Sequence, residues 1–194
     1  MYHHPKTLEE LITYFNHHNH LSKEAIHAIA EICKPVIIKK NKDLQSIGYT
    51  CRTIYFIKKG VARIYYFKDH IEITECFAFE NSIIARVESL FTEKPSRKAI
   101  QMIEDSELIA IDSAKLFALY DSFPSIERLF RKIFEAAYVD TVNRVESIQF
   151  HSAEERYNFL LKESPNVLQR VPLKYIASYL GITQVSLSRI RGIR

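Results

Sequence analysis

Several classes of protein are excluded by what this sequence does not contain. No apolar run reaches the length that crosses a bilayer, and the first residues lack the apolar segment of a signal peptide. The three cysteines, Cys33, Cys51 and Cys76, are widely spaced and include no CxxC pair. We therefore expect free thiols in a reducing compartment and no disulfide scaffold. Together these absences predict a cytoplasmic protein that is not associated with a membrane.

Signatures of catalysis are also missing. The sequence has no nucleophile elbow, P-loop, dinucleotide fingerprint or HExxH motif, so we expect neither an enzyme nor any catalytic residue. A metal site needs ligands of defined geometry, usually with a carboxylate or thiolate among them. The histidines near the N-terminus, His17, His18, His20 and His27, are spaced like a polar loop instead. We predict no metal and no cofactor.

The charge of the chain is unevenly distributed. The composition, 47% hydrophobic and 26% charged, is ordinary for a globular protein. Residues 1–150 balance 20 basic against 20 acidic side chains, whereas residues 151–194 hold 7 basic and 3 acidic ones. The whole excess of positive charge therefore lies at the C-terminal end. Such a segment is suited to contact phosphate groups, although a basic tail without a function would have the same composition.

The C-terminal segment from Pro172 to Arg191 has the pattern of two short helices joined by a tight turn. Gly181 ends the first helix where a left-handed backbone is needed, and Thr183 can cap the second. The residues expected to pack the two helices together are Ile176, Ala177, Leu180, Leu187 and Ile190. This is the layout of a DNA-binding helix-turn-helix, whose second helix enters a major groove.

The same pattern could also be an ordinary helical hairpin in a protein core. The residues on the outward face of the second helix favour the DNA-binding interpretation. That face carries donors and acceptors suited to base edges, not a mixture of lysine and glutamate. The predicted DNA-binding residues are Lys174, Thr183, Gln184, Val185, Ser188, Arg189 and Arg191. Arg170 and Arg194 are further candidates for phosphate contacts.

In the part of the chain that precedes this motif, apolar residues first recur with the spacing of a helix and then at every second position, as in a strand. Helices are predicted at 7–16 and 22–33, the second stopped by Pro35. The predicted strands are 36–38, 53–57, 61–67, 71–79, 98–103 and 108–112. Helices are again expected at 82–91 and 113–120. Short strands joined by turns predict a small barrel or jelly roll.

A long helix over 125–150 follows the strands. It carries two apolar edges, one to cover the roll and one free to pair with a second copy in a parallel two-fold dimer. The alternative is a helix buried wholly within one subunit. The predicted dimerisation residues are Leu129, Ile133, Ala137, Arg144 and Ile148. Ser152 and Glu155 then form a capping-box signature that starts the next helix.

The fold class is therefore α+β, with three parts. Residues 1–122 are expected to form an N-terminal antiparallel β-roll or jelly roll with flanking helices. Residues 123–150 form the long dimerisation helix, and residues 151–194 form a C-terminal all-α helix-turn-helix domain.

This order of parts resembles that of the Crp/Fnr family of bacterial transcription regulators. The most specific matches are 172–183 with 188–191, and the strand that ends in Phe77-Ala78-Phe79-Glu80-Asn81. The resemblance covers nearly the whole chain. It implies a cyclic-nucleotide-binding-like sensory domain, a homodimer and DNA recognition by the second helix. Double-stranded DNA and a small-molecule effector are the implied partners, and RNA polymerase is a further candidate.

The sequence departs from the pattern of the members that sense cyclic AMP. Those members place a Gly-Glu pair and a later Arg-Ser or Arg-Ala pair around the phosphate and ribose. Here residues 80–88 contain no glycine, and Ser96 takes the arginine position with Arg97 beside it, which is expected to point outward. We predict an effector other than cyclic AMP, or none. The candidate effector residues are Glu80, Asn81, Arg86, Ser96 and Arg97.

The second helix also departs from the cyclic-AMP regulators. Gln184 and Val185 replace an arginine and a glutamate, whereas Arg189 matches the third base-reading position, which predicts a different half-site. The resemblance implies a β-hairpin wing after the second helix, and we expect this protein to lack most of it. The alternative function is a ligand-sensing or protein-interaction module whose helix-turn-helix is vestigial.

Overall fold

The computed structural model describes residues 5–192 of the chain. Within that range the strands are β1 (Cys33–Ile38), β2 (Asp43–Gln45), β3 (Thr53–Lys59), β4 (Ala62–Lys68), β5 (Ile71–Ala78), β6 (Ser82–Ile84), β7 (Ala99–Met102) and β8 (Ser106–Asp112). The helices are α1 (Pro5–His18), α2 (Lys23–Glu31), α3 (Val87–Thr92), α4 (Ser113–Ala118), α5 (Pro124–Phe150), α6 (Ala153–Glu163), α7 (Val167–Arg170), α8 (Leu173–Leu180) and α9 (Gln184–Gly192). None of these described helices is both long and apolar enough to span a bilayer.

The strands form two four-stranded antiparallel sheets, which confirms the predicted β-roll. The strand orders are β1-β8-β3-β6 and β2-β7-β4-β5. One apolar cluster joins the two sheets, and its buried members are Ile57, Ala62, Ile64, Ile84, Ile100, Met102 and Leu108. Because side chains alternate along a strand, Arg63, which lies between Ala62 and Ile64 on β4, points to the outside of the roll.

Helices close the other side of the first sheet. The first turns of α5 belong to this core, together with α1 and α2. Its largest buried side chains are Leu11, Phe15, Ile54, Phe56, Ile109, Leu129 and Phe130. The rings of Phe15 and Phe130 meet edge to face with centroids 5.5 Å apart. The amphipathic faces of three helices are therefore used to bury one face of the sheet.

Some local predictions are wrong. The helix expected to reach Cys33 ends at Glu31, and Pro35 lies inside β1. This strand is at the edge of its sheet, where a residue without an N–H is tolerated. The helix expected over 82–91 is instead strand β6, paired with β3, followed by the short helix α3. Strand β2, only three residues long, was not predicted.

The long helix α5 has two different halves. Its 27 residues extend for about 40 Å at 1.5 Å per residue. The buried side chains lie in the first part, up to Ile133, and from Glu135 onward most positions are exposed. After α5 the predicted capping box is confirmed, because the Ser152 hydroxyl accepts the Glu155 amide and the Glu155 carboxylate accepts the Ser152 amide.

Candidate nucleic-acid interface

The turn between α8 and α9 forms as its sequence predicts. Gly181 has a φ of 69°, in the left-handed region where glycine avoids a steric cost. Its amide donates to the Ser178 carbonyl at 3.0 Å, and the Ile182 amide donates to the Ala177 carbonyl at 3.0 Å. These two bonds make up a Schellman motif, which satisfies carbonyls at the end of α8 and turns the chain into α9.

Helix α9 begins with the predicted cap and packs with the predicted face. The Thr183 hydroxyl accepts the Ser186 amide at 3.1 Å. Leu187 is buried against α8, and Ile190 is half-buried in the same cluster. The opposite face is in contact with solvent, and its members are Gln184, Val185, Ser188 and Arg189. The two helices thus hold the predicted base-reading side chains clear of the protein.

The predicted phosphate contacts have different surroundings. Lys174 is exposed, with its Nζ 4.7 Å from the centre of the Tyr175 ring, and Arg191 is exposed on α9. Arg170 is not available, because its guanidinium is paired with the carboxylates of Glu80 and Glu104. The prediction that Arg170 contacts phosphate is therefore wrong for this arrangement. Arg194 lies outside the described residues.

The ion pair of Arg170 joins the C-terminal helices to the roll. Its Nη1 donates to Glu80 Oε2 at 2.8 Å and its Nη2 donates to Glu80 Oε1 at 2.5 Å, while Nη2 also reaches Glu104. Glu80 accepts the Gly60 amide at 2.9 Å as well. Hydrogen bonding to Arg170 holds the pKa of Glu80 at about 2, and the same contacts raise the pKa of Arg170. The carboxylate of Glu80 is therefore already bound by groups of the protein in this arrangement.

The other candidate effector residues have separate partners. Arg86 is buried, with Nη1 3.8 Å from Glu75 Oε1 and with no hydrogen-bond partner at Nε. Ser96 is buried in a loop, where its hydroxyl donates to the Lys98 carbonyl at 2.8 Å. Asn81 and Arg97 are exposed. The contacts of Arg86 and Ser96 thus hold these two side chains in different parts of the roll.

Glu75 marks a charged cluster that the sequence did not reveal. Lys98 forms an ion pair with the same Glu75 carboxylate that lies near Arg86. Its Nζ is also 5.5 Å from the centre of the Tyr66 ring. Burial raises the pKa of the adjacent Cys76 thiol to about 11. In the sequence, the only available signal was a basic residue, Lys98, directly before β7.

The predicted dimerisation residues divide into two groups. Ala137 and Ile148 are exposed on α5, as pairing with a second copy requires. Leu129 and Ile133 are 0% and 5% exposed inside the core of their own chain, so their assignment to the dimer is wrong. Arg144 is also used within the chain, because its guanidinium stacks 3.8 Å from the Tyr179 ring centre and donates to the Tyr179 carbonyl.

An apolar stripe on the outer half of α5 was only partly predicted. The exposed apolar side chains there are Tyr138, Val139, Val142, Val145, Ile148 and Phe150. Tyr138, Val142 and Val145 follow the spacing of one helix face. The apolar period of the sequence found the helix, but it could not separate the residues that the roll buries from those that it leaves uncovered.

The roll and the helix-turn-helix meet along β5. Phe77 on β5 and Phe79 just after it pack with the C-terminal helices, whereas Cys76 and Ala78 pack toward the roll interior. The rings of Phe77 and Tyr179 lie 5.3 Å apart. Arg63 points into the same contact and is completely buried. Its only signal in the sequence was a basic residue inside an apolar strand.

Comparison with solved structures identifies the fold. FixK2 from Bradyrhizobium japonicum has a TM-score of 0.72 and 15% identity, over 83% of both chains. The c-di-GMP responsive regulator CLP of Xanthomonas campestris has a TM-score of 0.68 and 15% identity, over 87% of this chain and 89% of that one. The catabolite activator protein of Thermus thermophilus has a TM-score of 0.58 and 16% identity, over 93% and 85%.

These neighbours are Crp/Fnr regulators, and this chain shares their fold with its cyclic-nucleotide-binding-like roll. No protein-family model and no curated protein matches the sequence. The comparisons therefore establish the fold, and the function is argued from the residues of this chain.

Proposed function

We propose that this protein is a homodimeric, sequence-specific DNA-binding transcription regulator whose roll responds to an effector other than cyclic AMP. The observation that carries the proposal is the second helix of the helix-turn-helix. Gln184, Val185, Ser188 and Arg189 are exposed on one face of α9, while Leu187 anchors the opposite face. A helix held in this way can enter a major groove with its own backbone already ordered.

The chemistry of the exposed face suits base edges. Arginine can donate two hydrogen bonds to guanine, glutamine can pair with adenine, and an apolar side chain can contact the thymine methyl group. Arg189, Gln184 and Val185 supply these three types of contact. Lys174 and Arg191 are exposed cations that can bind the flanking phosphates. We propose that these five residues contact DNA.

The uncovered stripe on α5 supports a dimer. A two-fold axis along this helix would bring Val142 and Val145 of each copy together and remove them from water. Two copies would present two α9 helices to half-sites about 34 Å apart on one side of the duplex. A pseudopalindromic target follows from this symmetry.

The contacts within the roll support the part of the proposal that concerns the effector, which is that it is not cyclic AMP. Glu80 is taken by Arg170, and Arg86 is paired with Glu75 inside the structure. The core between the sheets is filled by aliphatic side chains. These features, together with the absence of glycine over 80–88, argue against a cradle for a cyclic phosphate. Contact with RNA polymerase and a cytoplasmic location remain predictions.

The test is selection of bound duplexes from a random library, followed by fluorescence anisotropy with the selected sequence. Replacement Arg189→Ala should weaken binding by about 1–3 kcal/mol and relax the preference at one base pair. Arg128→Ala removes the same charge from an exposed site at the start of α5 and is the matched control. Affinity of the parent should also fall steeply with salt.

Two results would contradict the proposal. If Arg189→Ala and Arg128→Ala bind the selected duplex equally well, α9 does not read bases through Arg189. If the parent selects no sequence and binds no duplex at low salt, the chain is a sensory or interaction module whose helix-turn-helix is vestigial.

A further inference from the structure

Helix α8, the first helix of the helix-turn-helix, lies against β5, the edge strand of the second sheet. We propose that Arg63 is a positioning residue that docks α8 on the outside of the roll, so that the free protein presents α9 in one fixed orientation. Docking concerns the position of the helices and is independent of what α9 binds. Only its effect on DNA affinity rests on the proposed function.

The surroundings of Arg63 combine partners from the roll and from α8. Its Nε and Nη2 donate to Gln101 Oε1 at 3.0 and 2.7 Å, and Nη2 lies 2.8 Å from Glu72 Oε1. Two rings also lie against the guanidinium: Tyr65 of the roll, with Cζ 4.4 Å from its ring centre, and Tyr175 of α8, with Cζ 3.5 Å from its ring centre. The roll fixes the plane of the cation, and α8 contributes the nearer of the two aromatic faces that shield it from water.

A second contact fixes the position of α8 along the strand. The Ser178 hydroxyl accepts the Thr74 amide at 2.8 Å and donates to the Glu72 carbonyl at 3.2 Å. These two backbone groups lie on the outer side of an edge strand, where a further strand would otherwise bind. One serine therefore satisfies both groups, and a shift of α8 along β5 would leave both without this partner.

The contact also has an apolar centre and a second set of arginines. Val61 and Ile103 of the roll are buried in one cluster with residues of α6, α7, α8 and α9. At the far end of α8, Arg144 donates to the Tyr179 carbonyl and Arg156 Nη2 donates to the Leu180 carbonyl at 2.7 Å. Contacts at both ends and in the middle restrain α8, although α5 and the C-terminal helices are joined only by two extended residues, His151 and Ser152.

The Thr74 amide provides a direct readout of docking, because its acceptor belongs to α8. We would measure amide hydrogen exchange by NMR in Arg63→Lys, which keeps the charge but loses the planar face, and in Tyr175→Leu, which removes the ring from the other side. The ratio of Thr74 exchange to that of the β8 amides should rise at least about tenfold in both variants. Tyr175→Phe retains the ring and should behave as the parent.

Using a ratio separates release of α8 from a loss of stability of the whole chain, because β8 is an inner strand of the other sheet. Ile100→Val, a loss of one methyl group in the roll interior, is the matched control and should leave the ratio unchanged. An unchanged ratio in both Arg63→Lys and Tyr175→Leu would overturn the proposal. So would an equal rise in Tyr175→Phe.

The consequence for DNA is measured on the selected duplex with the same variants. If only about one-tenth of the molecules keep α8 docked, the apparent Kd should rise about tenfold. In a variant whose exchange shows that α8 is undocked in most molecules, a Kd that stays constant or falls would overturn the fixed orientation as the binding one. If the parent binds no duplex, the proposed function fails, and the exchange experiment still tests the docking.

Discussion

Removal of Arg170 should destabilise the protein at neutral pH and leave it nearly unchanged at pH 2. Arg170 makes two hydrogen bonds to Glu80 and a further contact to Glu104, and all three side chains are about 70% buried. The variant Arg170→Met keeps the stem of the side chain and deletes the charge. Glu80 and Glu104 then face each other without a cation, which adds like-charge repulsion.

The magnitude follows from the pKa of Glu80. A shift from 4.5 to about 2 corresponds to about 3 kcal/mol at 1.4 kcal/mol per pKa unit. Because about 30% of each side chain is in contact with solvent, screening reduces this to about 1–2 kcal/mol. A lowered carboxyl pKa stabilises the folded state above the unfolded pKa. The contribution of Glu80 is therefore complete above about pH 4.5 and disappears as the pH falls toward 2.

The assay is urea unfolding of the parent and Arg170→Met at intervals from pH 7 to pH 2. The difference in the free energy of unfolding should be about 1–2 kcal/mol at pH 7, should begin to shrink near pH 4.5 and should be nearly gone at pH 2. Lys39→Met breaks an exposed pair with Asp105 on the roll and should produce no resolvable change. A difference that is constant across this range would refute the coupling of the ion pair to Glu80 ionisation. If Lys39→Met destabilised the protein as much as Arg170→Met, the stabilisation by the Arg170 pair would not depend on its burial.

Two further predictions concern a turn and the dimer. Gly60→Ala should lower the free energy of unfolding by about 2 kcal/mol, because Gly60 has a φ of 120° and a Cβ there would lie 2.0 Å from Ser106 Oγ. A urea midpoint equal to that of the parent would contradict this steric argument. Val145→Glu should reduce the mass in sedimentation equilibrium from two chains to one, since a carboxylate cannot be buried between two α5 helices without a partner. Asn143→Glu adds the same charge on another exposed face of α5 and should remain dimeric, whereas a dimeric Val145→Glu would place the contact elsewhere.

Local signals predicted the helix-turn-helix almost completely. Gly181, Thr183 and Leu187 act within a few residues of their own position, through backbone conformation, capping and helical spacing. The capping box at Ser152 and Glu155 is local for the same reason. Such features depend little on the rest of the chain, which is why sequence alone defines them.

Features that depend on distant partners were not predictable. Arg63 is buried by groups from β5, β7 and α8, more than 100 residues apart in the chain, and the strand pattern indicates only which face it occupies. Leu129 lies on an apolar face of α5. The spacing of apolar residues shows that this face is buried, but it cannot show whether the roll or a second copy covers it. The segment at Ile83 and Ile84 is a short apolar run, which fits a strand and a helix equally well until β3 supplies the hydrogen bonds.

The outer half of α5 connects the two contacts that define the position of α9. Arg144 on one face holds Tyr179 at the end of α8, and Val142 and Val145 on another face are exposed and form part of the proposed dimer contact. Because a helix is stiff over this length, any rotation of α5 on the proposed pairing would also move Arg144 relative to β5. The docking of α8 on Arg63 resists that movement from the side of the roll. If α5 pairs as proposed, the dimer contact acts on α9 through Arg144 and α8, and the edge of the sheet acts on it through Arg63 and the same helix α8.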